Sequence, residues 1–291
     1  MKRALICVLS VFLLLAAACS EQPQESRLMD GSVEFTKENY PTVCVTPYTE
    51  NYSINMTAAV LGITAEEAKA LIDVCDSTDE CYLKLASGEC DIVFAHDYGK
   101  SVTEKLNTTA LEFTSAELQR DALVFMTNGR AGVSELTTEQ LTSIYKGEIT
   151  NWNEVGGSDM PITLFGLKGG TAGQNAFEKY ISPDIAVAPV YKTVVTADGE
   201  FRAEIDYDNS DGAIGYTLVS LVGGEENGGI KLISINKAAP SSENITSGNY
   251  PFSVSVNLTI RASEAAENNV RILYDWILSE QGKIALGLVV Q

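Results

Sequence analysis

Short apolar runs alternate with longer amphipathic stretches along the chain, and that alternation predicts an α/β fold. Val43-Cys44-Val45 reads as a first strand, with a turn at Thr46-Pro47. A helix through Ala58 to Leu61 follows and stops at Gly62. Thr64-Ala65-Glu66-Glu67 opens another helix, with Ala68, Leu71 and Ile72 as its inner face. Val74 and Cys75 read as a short strand. Thr78 precedes a helix carrying Cys81, Tyr82 and Leu85, ended by Gly88, and Asp91 to Ala95 is a strongly apolar strand. Strand–helix alternation of this kind predicts a parallel, three-layer sheet with ligand groups at the strands' carboxyl ends. Later strands are expected at Ala122–Thr127, Tyr191–Thr196, Gly212–Tyr216 and Ile230–Ile235, and Tyr250–Ile260 alternates with period two. Asn269 to Leu286 is amphipathic, with Leu273, Trp276, Ile277 and Ile284 on one face.

The densest pattern runs from Leu136 to Tyr180. Thr137 with Gln140 three places on is a capping box, Leu141, Ile144 and Tyr145 give an apolar face, and Gly147 ends the helix. Ile162 to Phe165 reads as a buried strand. Gly166, Gly169, Gly170 and Gly173 then surround Thr171 before a second helix from Gln174. A glycine-rich turn feeding a helix N-terminus presents unpaired N–H groups and a positive dipole end, which suits an anion. A tight strand-to-helix turn with no ligand fits the same residues.

Composition adds an address. The chain has 291 residues, 45% of them apolar. It opens with Lys2 and Arg3, an apolar run from Ala4 to Leu15, and small residues, the pattern of a secretion signal over 1–18. Ala16-Ala17-Ala18-Cys19 is similar to a lipoprotein cleavage site, so Cys19 is expected to carry lipid and 19–32 to act as a polar tether. No other stretch nears the roughly 18 unbroken apolar residues of a membrane span. Once Lys2 and Arg3 leave with the leader, 18 basic residues face 39 acidic ones, a net of −21. Such a surface argues against nucleic acid and anionic membranes as partners, but not against a small anion held by local donors in a closed cleft. Cys44, Cys75, Cys81 and Cys90 remain after cleavage, and one or two disulfides are expected in an exported chain, with three connectivities open. A metal site is not expected, because no CxxC pair exists and His96 is the sole histidine. Catalysis is not expected either, as the chain lacks G-x-S-x-G and a metal-binding histidine pair.

The run Leu136-Thr137, Gln140, Ile144-Tyr145, Gly147, Ile149, Asn151-Trp152 and Val155-Gly156-Gly157 resembles the periplasmic phosphate-binding proteins of ABC importers, and the similarity extends from about Tyr40 to the C-terminus. The resemblance implies a two-lobed, type II periplasmic-binding-protein fold. Each lobe would be a mainly parallel sheet flanked by helices: 33–123 plus 238–291 in one lobe, 124–237 in the other, joined by a two-crossing hinge that closes on ligand. It implies a monomer that captures a small oxyanion, phosphate first, for ABC permease subunits, with no cofactor and with the membrane reached only through Cys19 on the outer face of the cell membrane.

In that family four segments hold the ligand. Carried onto this chain, they place Thr46 after the first strand, Thr78 before a helix, Asp97 after the Asp91 strand as acceptor for a protonated ligand oxygen, and Gly170, Thr171, Ala172 and Gly173 in the glycine-rich loop. The family arginine falls on Leu167, which cannot form a bidentate pair with phosphate, and Lys168 is the neighbouring point charge that could substitute. Pro47 has no N–H to donate. These departures leave room for a repurposed surface or sensor protein that keeps the scaffold without tight phosphate binding.

Overall fold

The computed structural model describes residues 34–181, 212–222 and 230–288, with short pieces at 183, 189, 191 and 193–195. The leader, the tether, Cys19 and the end of the strand expected at Tyr191–Thr196 lie outside the described residues.

The first half of the fold follows the predicted alternation. Strand β1 (Val43–Val45) leads to helix α1 (Glu50–Leu61), then α2 (Ala65–Lys69), β2 (Ile72–Val74), α3 (Thr78–Ser87), β3 (Ile92–His96) and α4 (Lys100–Thr109). β1 pairs in parallel with β2 on one side and β3 on the other. Helix starts are set by side chains that satisfy orphan N–H groups. Thr64 and Glu67 form a capping box at α2, and Ser77 accepts from the Glu80 N–H at α3. Two expectations shift here. Leu71 and Ile72 lie beyond the end of α2, and Ile72 begins β2 instead.

The crossing into the second half is one long strand. β4 (Phe113–Asn128) pairs antiparallel with β11 (Ser253–Arg261) through its first part and with β8 (Ala213–Leu218) through its second. The strand expected at Ala122–Thr127 is therefore the second part of a 16-residue element. Beyond it come β5 (Glu135–Leu136), α5 (Thr138–Lys146), β6 (Thr163–Leu167), α6 (Ala172–Tyr180), β7 (Thr193–Val195), β9 (Ile230–Leu232) and β10 (Ser234–Ile235). The main sheet runs β2-β1-β3-β11-β4-β8-β6-β7, with β9 also on β4, so it is continuous across both halves. The Thr137–Gln140 capping box is present, and Gly147 ends α5 at φ 76°, a left-handed position that favours glycine.

Each half has its own apolar core. The first collects Val43, Val45, Ile92, Phe94, Leu258 and Ile260 with Leu273 and Ile277 of the helix Asn269–Leu278, so that helix packs on the first half as its apolar face predicts. It stops at Ser279, whose hydroxyl caps a separate short helix over Glu280–Ala285. The second core is built from Phe125, Tyr145, Trp152, Phe165, Phe177 and Tyr216. Ile245, Tyr250 and Phe252, in the segment assigned by sequence to the first lobe, pack in this second core, because the chain returns only along β11. Trp152 of the Asn-Trp motif donates its indole N–H to the Gly212 carbonyl at 3.0 Å. A Cβ at Gly212 would sit 1.9 Å from the Pro161 carbonyl oxygen, so only glycine permits that approach. Among the described residues no helix is long and apolar enough to cross a membrane.

Candidate functional site

A cavity of about 320 Å³ lies between the halves. The first half contributes its strand ends: Thr46, Pro47 and Tyr48 after β1, Asp76, Ser77 and Thr78 after β2, and His96 at the end of β3. The second half contributes Thr171 and Ala172 at the start of α6, and Leu221. The site thus sits beyond the carboxyl ends of the parallel strands, as the alternation predicts.

The hydroxyl groups at the cavity are already oriented by local bonds. Thr46 Oγ1 lies 3.3 Å from Thr49 Oγ1, and Thr49 in turn donates to the Phe94 carbonyl at 2.5 Å. Thr171 caps α6: its hydroxyl accepts from the Gln174 N–H at 3.4 Å and donates to the Lys168 carbonyl at 2.8 Å. Its N-cap role and its place at the cavity coexist, because a cap residue sits where the helix's free N–H groups open to a ligand. The helix therefore starts at Ala172, two residues before the expected Gln174.

Of the residues expected to hold ligand, Thr46, Thr78, Thr171 and Ala172 line this cavity together. Four other expected residues do not line this cavity. Asp97 turns away from it: one oxygen accepts from Asn257 Nδ2 at 2.8 Å and the other meets Lys179 Nζ at 3.2 Å. Strand alternation explains this, since His96 continues the face of Ile92 and Phe94 while Asp97 falls on the opposite one. Lys168 is exposed, and Leu167 is 3% exposed with its side chain in the second core. Gly173 is buried in the first turn of α6. Gly170, at φ 84°, instead uses its carbonyl to accept from the Asp79 N–H at 3.1 Å.

Asp79 is the latch between the halves. Its carboxylate accepts from the Gly99 N–H at 2.8 Å, from Asn175 Nδ2 at 2.8 Å and from the Ser101 hydroxyl. Asn175 belongs to α6, so a buried carboxylate of the first half holds a helix of the second.

Sequence reasoning passed over four cavity residues, Tyr48, Asp76, Leu221 and His96, the last noted only as the sole histidine. His96 is 1% exposed, and its Nε2 lies 3.0 Å from Asp121 Oδ2. Asp121 is 2% exposed and also receives the Ser220 hydroxyl at 2.5 Å, the Ala122 N–H at 2.7 Å and the Ser220 N–H at 3.3 Å. Burial alone would raise the Asp121 carboxyl; the bonds from His96, Ser220 and Ala122 outweigh it and hold the group below its ordinary range. Tyr48 lies over the His96 ring, centroids 4.9 Å apart.

Behind this wall the four expected cysteines gather. Cys44, Cys75, Cys81 and Cys90 are buried, free thiols packed together with Tyr82, Leu85 and Val93. Cys44 lies against Cys75 and Cys90, and Cys75 against Cys44 and Cys81. One tight group of possible metal ligands, Cys44, Asp73 and Cys75, has its ligand atoms within 4.8 Å of one another.

Two α/β halves share one sheet, and polar groups of both face the cavity between them, the form of a two-lobed binding protein. The chain belongs to the PBP superfamily, whose domain model matches residues 70–280. It is similar to the phosphate-binding protein PstS of Bacillus subtilis, 29% identical over 124 residues, which covers 43% of this chain and 39% of that protein. It is also similar to the phosphate-binding protein PstS of Borreliella burgdorferi, 26% identical over 175 residues, covering 56% and 60% respectively. The chain thus spans roughly two fifths to three fifths of these relatives. An ABC-type phosphate transport receptor from Vibrio cholerae has the same fold, with a TM-score of 0.65 at 22% identity over 85% of this chain and 97% of that one. The type II periplasmic-binding-protein fold expected from the Leu136–Gly157 run is the fold observed.

Proposed function

We propose that this protein captures a small oxyanion, phosphate first, outside the cytoplasm and delivers it to ABC permease subunits. The observation that carries the reading is the convergence of Thr46, Thr78 and the Thr171-capped start of α6 on one interlobe cavity. Hydroxyls and helix N–H groups replace the anion's water there, and the halves close by bending where β4 and β11 cross between them. The relatives that bind phosphate support phosphate as the first ligand. Titration calorimetry on soluble Ser20–Gln291 with phosphate, then sulfate, tests this; micromolar or tighter phosphate binding is expected, and silence with every oxyanion from a folded sample would sink it.

That silence would favour the second reading, a surface or sensor protein that kept the scaffold. Leu167 packed in the apolar core supports it, since the family's arginine position supplies no cation here.

The same proposal extends to the address and the thiols. The leader at 1–18 and lipid on Cys19, with 19–32 as a tether, would hold the monomeric receptor beside its permease. Thiol contacts run in the order Cys90, Cys44, Cys75, Cys81. Only one of the three connectivities joins neighbours in both pairs: Cys44–Cys90 with Cys75–Cys81. Each bond forms as two thiols lose two protons and pass two electrons to a disulfide-bearing oxidoreductase. Hydrogen bonds from Cys44 and Cys81 draw the Cys75 thiol down, and as all four thiols are buried the exchange belongs to folding, before the core closes. Peptide mapping of protein secreted under oxidising conditions should find those two pairs, and a Cys44–Cys75 link would refute the pairing.

A further inference from the structure

An oxyanion moved from water into a cleft needs positive charge or many donors to replace its hydration. This cleft has no lysine or arginine among its lining residues, and Asp76 adds a negative one. Leu167 occupies the position where an arginine would have served, and Lys168 beside it is exposed. One lining side chain can carry positive charge, and that is His96.

We infer that His96, as an imidazolium held by Asp121, is the cation that this cleft offers to its anion. The inference rests on the oxyanion-capture reading and deepens it by naming the group that balances the ligand's charge. The geometry is that of a positioned histidine, not a packed one. Asp121 Oδ2, 3.0 Å from Nε2, fixes the ring and keeps the Nε2 proton. The other donors to Asp121 are Ser220 and the Ala122 N–H, which keep the carboxylate ionised and aimed at the ring. Nδ1 has no partner among the described residues, so that nitrogen is left to take a second proton and donate it to a ligand oxygen. Tyr48 covers the ring face, where its π system favours the cationic form.

The surroundings set the direction of the pH dependence. From β4 the ring faces Asp121, from the turn after β1 it faces Tyr48, and β11 places apolar Val256 opposite it. Asp76 shares the cavity, and Asp97, the next residue, is turned to Asn257 and Lys179. A bound anion stabilises the imidazolium, so binding takes up a proton wherever free His96 is neutral.

The sole histidine makes the test direct, because an untagged chain has one imidazole signal to follow by NMR. The wild-type signal would be titrated against pH in chloride and again with inorganic phosphate or sulfate, while calorimetry in two buffers of different ionisation enthalpy counts protons taken up. The expected result is an upward move of the imidazole midpoint by about one pH unit with the bound anion, and proton uptake on binding above that midpoint. H96Q, checked by thermal melting for folding, should bind phosphate at least about tenfold more weakly at mildly acidic pH, and its binding of sulfate, which does not itself titrate there, should take up no proton. Phosphate bound with an unmoved imidazole signal, or bound equally by folded H96Q, would overturn the inference and leave the capture reading standing. An absence of binding by every oxyanion, with the imidazole unmoved, would overturn both.

Discussion

The two walls of the cleft are built from opposite resources. The first wall is the set of strand ends around Thr46, Thr78 and His96, where side chains face the cavity and a buried carboxylate, Asp121, stands behind them. The second wall is the start of α6, where a helix N-terminus faces it: Thr171 caps the helix, Ala172 adds only a methyl group, and the family arginine position is a leucine in the core. The difference teaches that charge compensation need not stay on the element that carries the glycine-rich loop. A cleft closes around both walls, so a cation lost from one can be supplied by the other.

The sharpest way to break this comparison is to restore the arginine. Leu167 is 3% exposed and its side chain packs among the apolar residues of the second core. Leu167→Arg should therefore destabilise the fold by about 3 kcal/mol or more, seen as a large drop in melting temperature, and should not tighten phosphate binding. A stable variant with raised affinity would show that the second wall still accepts the family's cation.

The next effect concerns the latch. Asp79→Ala strands the Gly99 N–H, Asn175 Nδ2 and the Ser101 hydroxyl, three donors between the halves and around them. A loss of about 2–4 kcal/mol is expected in chemical denaturation, with weaker ligand binding because closure loses its hydrogen bonds. Unchanged affinity would mean that the halves meet without help from this carboxylate.

Smaller again is Thr171→Val. Loss of the cap should cost about 1 kcal/mol, while phosphate affinity should fall by about tenfold or more because both the hydroxyl and the ordered helix start are lost. Unchanged affinity would place the anion on the first wall alone.

What was legible in the chain divides along physical lines. The alternation of strand and helix before Ala95 and the Leu136–Gly157 run are local patterns, and both are in the fold. Helix α4 was not read, because Lys100–Thr109 is polar and buries only Val102, so no apolar stripe marks it. The first part of β4 was missed for a related reason: Phe113–Arg120 is only partly buried or exposed, and its few apolar residues, Phe113, Ala116 and Leu118, keep no regular alternation. The threonines of the site were legible because hydroxyls before a helix have a local role as caps. His96 was not, since its meaning depends on Asp121, 25 residues away, and through it on Ser220, a further 99 away. Nothing local distinguishes such a histidine from one that is merely packed.

The smallest predicted effect tests the residue on which resemblance and structure part most clearly. Family likeness makes Asp97 the acceptor for a protonated ligand oxygen, whereas here it bonds Asn257 and meets Lys179 of α6 from across the cleft. That ion pair is half exposed on the lysine side, so it contributes under about 1 kcal/mol and is screened by salt. Asp97→Asn should keep the Asn257 contact, lower stability only slightly, and leave phosphate affinity within about threefold at physiological salt. Lys179→Ala should behave the same way, since both remove one contact between the halves and none at the cavity. If Asp97→Asn abolished binding while Lys179→Ala did not, Asp97 would be a ligand acceptor that the cleft presents only once the anion is in place. The first wall would then hold a carboxylate and an imidazolium side by side, and discrimination of protonated from fully ionised oxyanions would belong to that pair.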